Sequence, residues 1–286
     1  MATTTRLIKL GGSIVAFGIS TVWKQCCAFL ARPVQGDFVV LYYHAVPPGQ
    51  RGRFVRQMED LTRWARPVHC NGAKLAPGVH HVAVTFDDGF RSVFENAIPE
   101  MAKLGIPSTI FIPSGYIGAP ATWFGEESGQ VTMSADEVRK IASELTWIGS
   151  HTVNHPKLVS LNEDQARREL SLSKQQLEEL LGRDVVLFSF PYGEYNERLV
   201  HWCREAGYES VFTTVPTRLF HRPGQYVQGR VSVDPSDWRL EFRLKVAGAY
   251  SWLEGAAALK RWLRSCCAFF GLRARGRLPS RVNGVY

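Results

Sequence analysis

The chain has 286 residues and six cysteines, but no C-x-x-C pair and no regularly spaced cysteine framework. The thiols fall as Cys26-Cys27, Cys70, Cys203 and Cys266-Cys267. That excludes a zinc ribbon and a disulfide scaffold, and it favours buried or interfacial thiols in a reducing compartment. No G-x-G-x-x-G follows the first strand-like run, which argues against a dinucleotide-binding sheet. Near the N-terminus, the uncharged run at 10–23, between Lys9 and Lys24, has fourteen residues, fewer than the roughly 20 a spanning helix needs. Arg6 and Lys9 suit the positive front of a signal peptide, yet "AFLA" at 28–31 is a poor cleavage site because Phe29 stands where a small residue is needed. Acidic residues are nearly missing from the C-terminus: residues 245–286 carry eight Lys or Arg against Glu254 alone, so most of the net charge of +8 sits there.

The composition that remains, 45% hydrophobic and 21% charged, is that of a globular chain with room for a sizeable core. Three regions follow: an apolar segment at 1–36, a body at 37–243 and a basic amphipathic tail at 244–286. Both ends combine apolar residues, basic residues and tryptophan, with Trp23 and "QCCAFL" echoed by Trp262 and "SCCAFF". This suits helices lying on an anionic membrane surface. The expected localisation is therefore membrane-associated, and the unpaired cysteines favour the cytoplasmic face over a periplasmic or secreted one. No aromatic and basic platform of a known type points to nucleic acid.

Within the body, apolar β-branched runs alternate with helical spacing. Strands are expected at 37–44 (DFVVLYYH), 82–86, 106–115, 146–151, 185–190, 210–214 and 226–233, most of them followed by a helix. Ser134 and Glu137 form a capping box, and a long amphipathic helix at 162–182 ends in Gly. Repeated βα units mean parallel strands, in an open doubly wound sheet or a closed barrel. In a barrel the functional residues gather at the C-terminal strand ends. The polar residues expected there are His44, Asp87, Asp88, His151, His155 and Tyr192.

The "VTFDDGF" stretch at 84–90 puts Asp87 and Asp88 side by side where a buried strand becomes a loop. "SHTVNHP" places His151 and His155 four residues apart, and Pro156 keeps the pair out of an ordinary helix interior. Alone, D-D-G is an ordinary turn and H-x-x-x-H an ordinary surface pattern. Together they offer two imidazoles and a carboxylate, a donor set for zinc with a position left for water, and equally for Co, Mn, Ni or Fe. The second carboxylate is then available as a base, and one cation near both relieves their mutual repulsion.

"TFDDG", "SHTVNHP" and "FPYG", in that order, resemble the NodB-type polysaccharide deacetylases of carbohydrate esterase family four. The resemblance runs from about Asp37 to Val233. It implies an α/β fold, a distorted (β/α)7 barrel with extra N- and C-terminal helical segments. It also implies metal-dependent hydrolysis of N-acetyl groups on amino sugars of a poly- or oligosaccharide, in exopolysaccharide or cell-surface glycan synthesis. By that pattern Asp87 is the general base, Asp88, His151 and His155 hold Zn2+ or another divalent ion, and the backbone N–H of Tyr192, after Pro191, faces the oxyanion.

Two departures stand out. The family's arginine just before the Pro-Tyr pair is replaced by Ser189, and no late His follows His221. "LYYHAV" at the end of the first strand is similar to a circularly permuted branch that includes poly-N-acetylglucosamine deacetylases, which makes His44 the general acid. Arg230 in "GRVSV" is a candidate for the displaced arginine or for an ordinary salt bridge. Trp123 and Phe124 are candidates for stacking on a sugar, and Asp237-Trp238 resembles a family D-W pair whose correspondence the permutation disturbs. Other readings of these residues are a deacylase of a non-sugar amide or lipid-linked sugar, and an inactive glycan-binding barrel. Retention of both carboxylates, both imidazoles and a candidate acid opposes the last of these.

Overall fold

The computed structural model describes residues 3–29, 38–72, 75–124, 129–216, 225–253 and 255. It begins with helix α1 (Thr3–Phe29), and the body then alternates strands and helices. Strand β1 (Phe38–Tyr43) and strand β3 (His81–Phe86) are buried at every position, as their unbroken apolar runs require when both faces are covered. Helix α2 (Arg51–Trp64) and the two-residue β2 (Arg66–Pro67) lie between them. Next come α3 (Arg91–Asn96), α4 (Ile98–Lys103), β4 (Ser108–Ile112), α5 (Ala135–Ile141), β5 (Thr146–Ser150) and α6 (Glu163–Leu181). The remainder is β6 (Leu187–Ser189), α7 (Glu197–Glu205), β7 (Ser210–Thr213), β8 (Val227–Gly229), β9 (Val231–Ser232) and α8 (Arg239–Val246).

The strand order is β8-β7-β6-β5-β4-β3-β1-β9, and the pairings are parallel. Only Arg230 separates β8 from β9. The first pairs with β7 (Val211↔Val227) and the second with β1 (Leu41↔Val231). The two are halves of one broken stave, which closes the sheet into a seven-stave (β/α) barrel. Each of the seven expected strands is present. Alternation along the staves sends Phe38, Val40, Ala83, Phe111, Leu187 and Phe212 into one cluster inside the barrel. It sends Val39, Leu41, Tyr43, Val82, Val84 and Phe86 into the layer beneath the helices. Gly149 leaves space for this filling, since a Cβ there would lie 2.5 Å from the Phe111 ring.

Capping follows the sequence at α5, where Ser134 and Glu137 close a capping box, and at α6, which opens on Asn162 and Gln165 and ends on left-handed Gly182. The helical stretch after Gly89 is broken at Ala97, because Pro99 begins a new helix where its missing N–H costs least. The expected boundary at 243/244 falls inside α8. Phe242, Leu244, Val246, Ala249 and Tyr250 pack into the main core, so these residues belong to the barrel. Lys245, counted above with the basic tail, is buried in an ion pair with Asp237 at 2.7 Å. The rest of the tail, 256–286, lies outside the described residues, as does His221.

Helix α1 docks on the outside of α8. Arg6 reaches Glu241 at 2.6 Å and covers the Trp238 ring at 4.5 Å. Trp252 donates to Ser13 Oγ at 3.0 Å. Among the described residues no helix is long and apolar enough to cross a membrane.

Candidate active site

The C-terminal ends of β1, β3, β5, β6 and the β8–β9 stave converge on one polar cluster. Asp87 follows β3, and its backbone N–H donates to the Tyr43 carbonyl at the end of β1 (2.9 Å). Asp88 and Gly89 then take left-handed φ angles of 69° and 62°. This turn lets the two adjacent carboxylates diverge, Asp87 toward the barrel axis and Asp88 toward the loop after β5.

That loop is held from several sides. His151 N–H donates to the Ile112 carbonyl (3.0 Å), and His155 N–H to Thr152 Oγ1 (3.0 Å). From α6, Glu169 accepts the N–H groups of Val153 and Asn154 (2.8 and 2.9 Å), while Ser173 donates to the Thr152 carbonyl. Thr152 and His155 are left-handed at 69° and 54°. The non-glycine residues with positive φ among those described are Asp88, Thr152, His155 and Tyr192, so the backbone strain of the described chain is concentrated here, as at sites where structure over-determines a costly geometry.

His155 Nε2 lies 3.2 Å, and His151 Nε2 3.6 Å, from Asp88 Oδ1. His151 Nδ1 sits 2.7 Å from the Ser189 carbonyl, which can only accept, so this nitrogen carries the proton and Nε2 presents its lone pair. Burial, with His155 adding to it, pushes the His151 pKa down to about 4 against the opposing pull of Asp87 and Asp88, which keeps the ring neutral. Asp88 Oδ1 is buried and has no hydrogen-bond donor, a costly condition for a carboxylate oxygen. These three donors lie within 4.8 Å of one another. Tetrahedral ligands at 2.0–2.2 Å from one ion stand about 3.4 Å apart. Two imidazoles, an orphaned carboxylate oxygen and these separations fit one divalent cation.

Asp87 has a different environment. Arg230, fully buried at the break in the closing stave, donates from Nη1 to Oδ1 and from Nη2 to Oδ2, both at 2.7 Å. The same guanidinium donates to Ser189 Oγ (2.7 Å) and Thr85 Oγ1 (3.1 Å) and lies under the Tyr42 ring at 4.8 Å. Burial alone would raise the Asp87 pKa, but Arg230, His151 and His44 together outweigh it and hold it at about 2.

His44, half-buried just past β1, packs edge-on against Tyr42 at 5.5 Å and is close enough to favour ionised Asp87. Pro191 is buried, and Tyr192 is left-handed at φ 60° with its ring edge-on to His155 (4.9 Å). Trp123 stacks on His155 (4.6 Å, 18° between planes) and is half-buried.

The structure therefore brings together His44, Asp87, Asp88, His151, His155, Tyr192, Trp123 and Arg230. Asp237 stays outside the cluster, paired with Lys245 behind α8, and the side chain of Phe124 lies outside the described residues. Sequence reasoning missed Thr85 and Ser189 as partners of Arg230, and Glu169 as the clamp of the histidine loop. Thr85 stands two residues before Asp87 on β3, on the same face of the strand, and that period was the available signal. Glu169 had none, being one more acidic residue on an amphipathic helix.

Residues 74–211 match the family model described as polysaccharide deacetylase. YxkH of Bacillus subtilis (strain 168) is 26% identical over 68% of this chain and 71% of its own length. The poly-beta-1,6-N-acetyl-D-glucosamine N-deacetylase of Staphylococcus aureus (strain MSSA476) is 25% identical over 57% of each chain. Among solved structures, IcaB from Ammonifex degensii superposes with a TM-score of 0.64 at 28% identity, covering 76% of this chain and 98% of that one.

Proposed function

We propose that the chain, whose residues 74–211 match the polysaccharide deacetylase family model, is a divalent-metal-dependent N-deacetylase acting on a polymer of N-acetylated amino sugar. The observation that carries this reading is the division of labour between two adjacent carboxylates. Asp88 faces two imidazoles, while Asp87 is locked to Arg230. Asp88, His151 and His155 would hold a divalent ion, zinc by donor type, which when bound would supply Lewis acidity to an amide carbonyl and to water.

The chain's own residues do the rest. Asp87, ionised at neutral pH and oriented by Arg230, accepts the proton as water adds to the acetamide carbon. Each of its oxygens gives one lone pair to the guanidinium and keeps another. The backbone N–H of Tyr192, on its left-handed turn, donates to the oxygen that gains negative charge. His44, across the mouth from the ligand pair, gives a proton to the nitrogen as the C–N bond breaks. Acetate leaves, and a free amine remains on the sugar. The resemblance to a poly-N-acetylglucosamine deacetylase and the placement of His44 on the first stave favour an exopolysaccharide substrate.

The test is acetate release from β-1,6-linked N-acetylglucosamine oligomers by zinc-loaded and chelated protein, alongside Asp87→Asn and His44→Ala. Metal-dependent release that disappears in Asp87→Asn and falls at least about a hundredfold in His44→Ala is expected. Wild-type protein that binds zinc through Asp88, His151 and His155 yet releases no acetate from any acetylated glycan would refute the reading.

A further inference from the structure

The outer face of α1 has no covering element among the described residues. Leu7, Ile8, Ile14, Val15, Ile19 and Val22 are 46–67% exposed, and they recur at helical spacing on one stripe. Gly11 and Gly18 keep that stripe flat, with open space beyond both. The opposite face, through Arg6, Leu10, Gly12 and Ser13, makes the contacts with α8, the core and Trp252. Six large apolar side chains exposed on one face of a helix form a contiguous patch of the kind that marks an interaction site.

The surroundings indicate what does. Helix α1 carries no acidic residue, and because its Arg6 is paired with Glu241, exposed positive charge near the stripe comes from α2. Beside its first turns, Trp238 (47%) and Leu240 (51%) are also exposed. Trp238 lines a cavity of about 500 Å³ together with Arg53, Arg56 and Glu59 of α2 and with Arg239, which is paired with Asp60. Arg53 and Arg56 are exposed and make no ion pair among the described residues. An uncharged apolar stripe, flanking basic side chains and a tryptophan at the edge form the pattern of a helix lying in the plane of a bilayer, its apolar face among acyl chains and its cations at lipid phosphates. At about 40 Å, the 27-residue α1 is long enough to act as such a runner.

We propose that the outer stripe of α1, with Trp238, Leu240, Arg53 and Arg56 beside it, docks the barrel onto the surface of an anionic membrane. This rests on surface chemistry and is independent of the catalytic reading, so the two can fail separately.

The test uses the full chain and flotation with vesicles of phosphatidylcholine, with and without phosphatidylglycerol. Wild type should float with the anionic vesicles and detach as salt rises. Combining Ile8→Glu, Val15→Glu and Ile19→Glu should weaken partition by at least about tenfold while leaving acetate release from soluble oligomers unchanged. These side chains are exposed, and an unchanged far-UV spectrum checks the fold. Arg53→Glu with Arg56→Glu should remove the preference for phosphatidylglycerol, and Asp87→Asn should float like wild type. Three results would each overturn the proposal: wild type that stays in solution with both vesicles; a dimer in sedimentation that the triple substitution dissolves without any vesicle binding, which would make a second copy the occupant; or a triple substitution that lowers thermal stability without changing partition, which would mean that residues 256–286 cover the stripe.

Discussion

Replacing Arg230 with Met tests the internal logic of the barrel mouth most directly. Arg230 is fully buried, and its guanidinium makes two 2.7 Å bonds to Asp87 as well as bonds to Ser189 and Thr85. Met keeps much of the volume but removes the charge and every donor. Asp87, itself 2% exposed, is left ionised with no cation, and breaking one side of a buried pair costs about 3–5 kcal/mol. For a barrel of this size each kcal/mol moves Tm by about 2–4 °C, so the single variant should melt roughly 6–20 °C below wild type. Adding Asp87→Asn removes the stranded charge, and the double variant should recover about half of that loss or more, a coupling that independent sites do not show. Arg230→Lys should recover little, because an ammonium cannot make the paired bonds. Thermal unfolding followed by circular dichroism gives all four values. An Arg230→Met variant melting within about 2 °C of wild type, or a double variant no better than the single, would refute the argument that the pair is held by mutual charge compensation.

Other consequences can be checked at lower cost. Gly193 has φ +67°, and a Cβ there would collide with Thr214; Gly193→Ala should displace the Tyr192 turn and lower kcat more than metal affinity. Glu169→Ala frees the N–H groups of Val153 and Asn154 that hold the histidine loop, and should weaken zinc binding by about 10–100-fold in calorimetry. Burial pushes the Cys70 thiol up to about 11 and that of Cys203 higher still, and both side chains are buried; iodoacetamide at neutral pH should leave both unmodified until the protein is denatured. Gly12 faces the Trp252 ring, where a Cβ would come within 2.5 Å; Gly12→Leu should loosen α1 from the barrel and raise its rate of proteolysis.

The sequence made the barrel legible because a buried parallel stave leaves a plain signature: an apolar, β-branched run with no polar alternation, repeated seven times. Those runs alone left an open sheet and a closed barrel both possible, and closure was expected only from the family resemblance. The last stave is interrupted at Arg230, and only pairing on both sides, with β7 before the break and with β1 after it, shows that one strand completes the ring. The candidate metal-binding trio was legible because D-D-G and H-x-x-x-H are each compact patterns, although Asp88 and the two histidines come from separate stretches of the chain. The environment of Asp87 was not, since Thr85, Ser189 and Arg230 lie on three different staves and meet only on the barrel axis. Likewise, α1 was apolar on paper, but which face it buries depends on Arg6, Gly12 and Ser13 finding partners more than 200 residues away.

Closure also gives a physical account of the two departures from the family pattern. On a ring of parallel staves, the first and last strands are neighbours, so a side chain can approach the axis from either without moving the reacting atoms. Here β1 brings His44 and the break before β9 brings Arg230, and both influence the Asp87 carboxylate from adjacent staves. Ser189 stands where the resemblance expects an arginine, and its hydroxyl accepts from the guanidinium that arrives from elsewhere. The guanidinium that reaches Asp87 thus comes from Arg230 and also engages the residue at the position where the resemblance expects an arginine. Arg230→Ser combined with Ser189→Arg should therefore regain part of the stability and acetate release lost in Arg230→Ser alone, because the new arginine starts within one hydrogen bond of the old one's guanidinium. A double variant as inactive and as unstable as the single would mean that only the break in the closing stave can aim a guanidinium at both oxygens of Asp87.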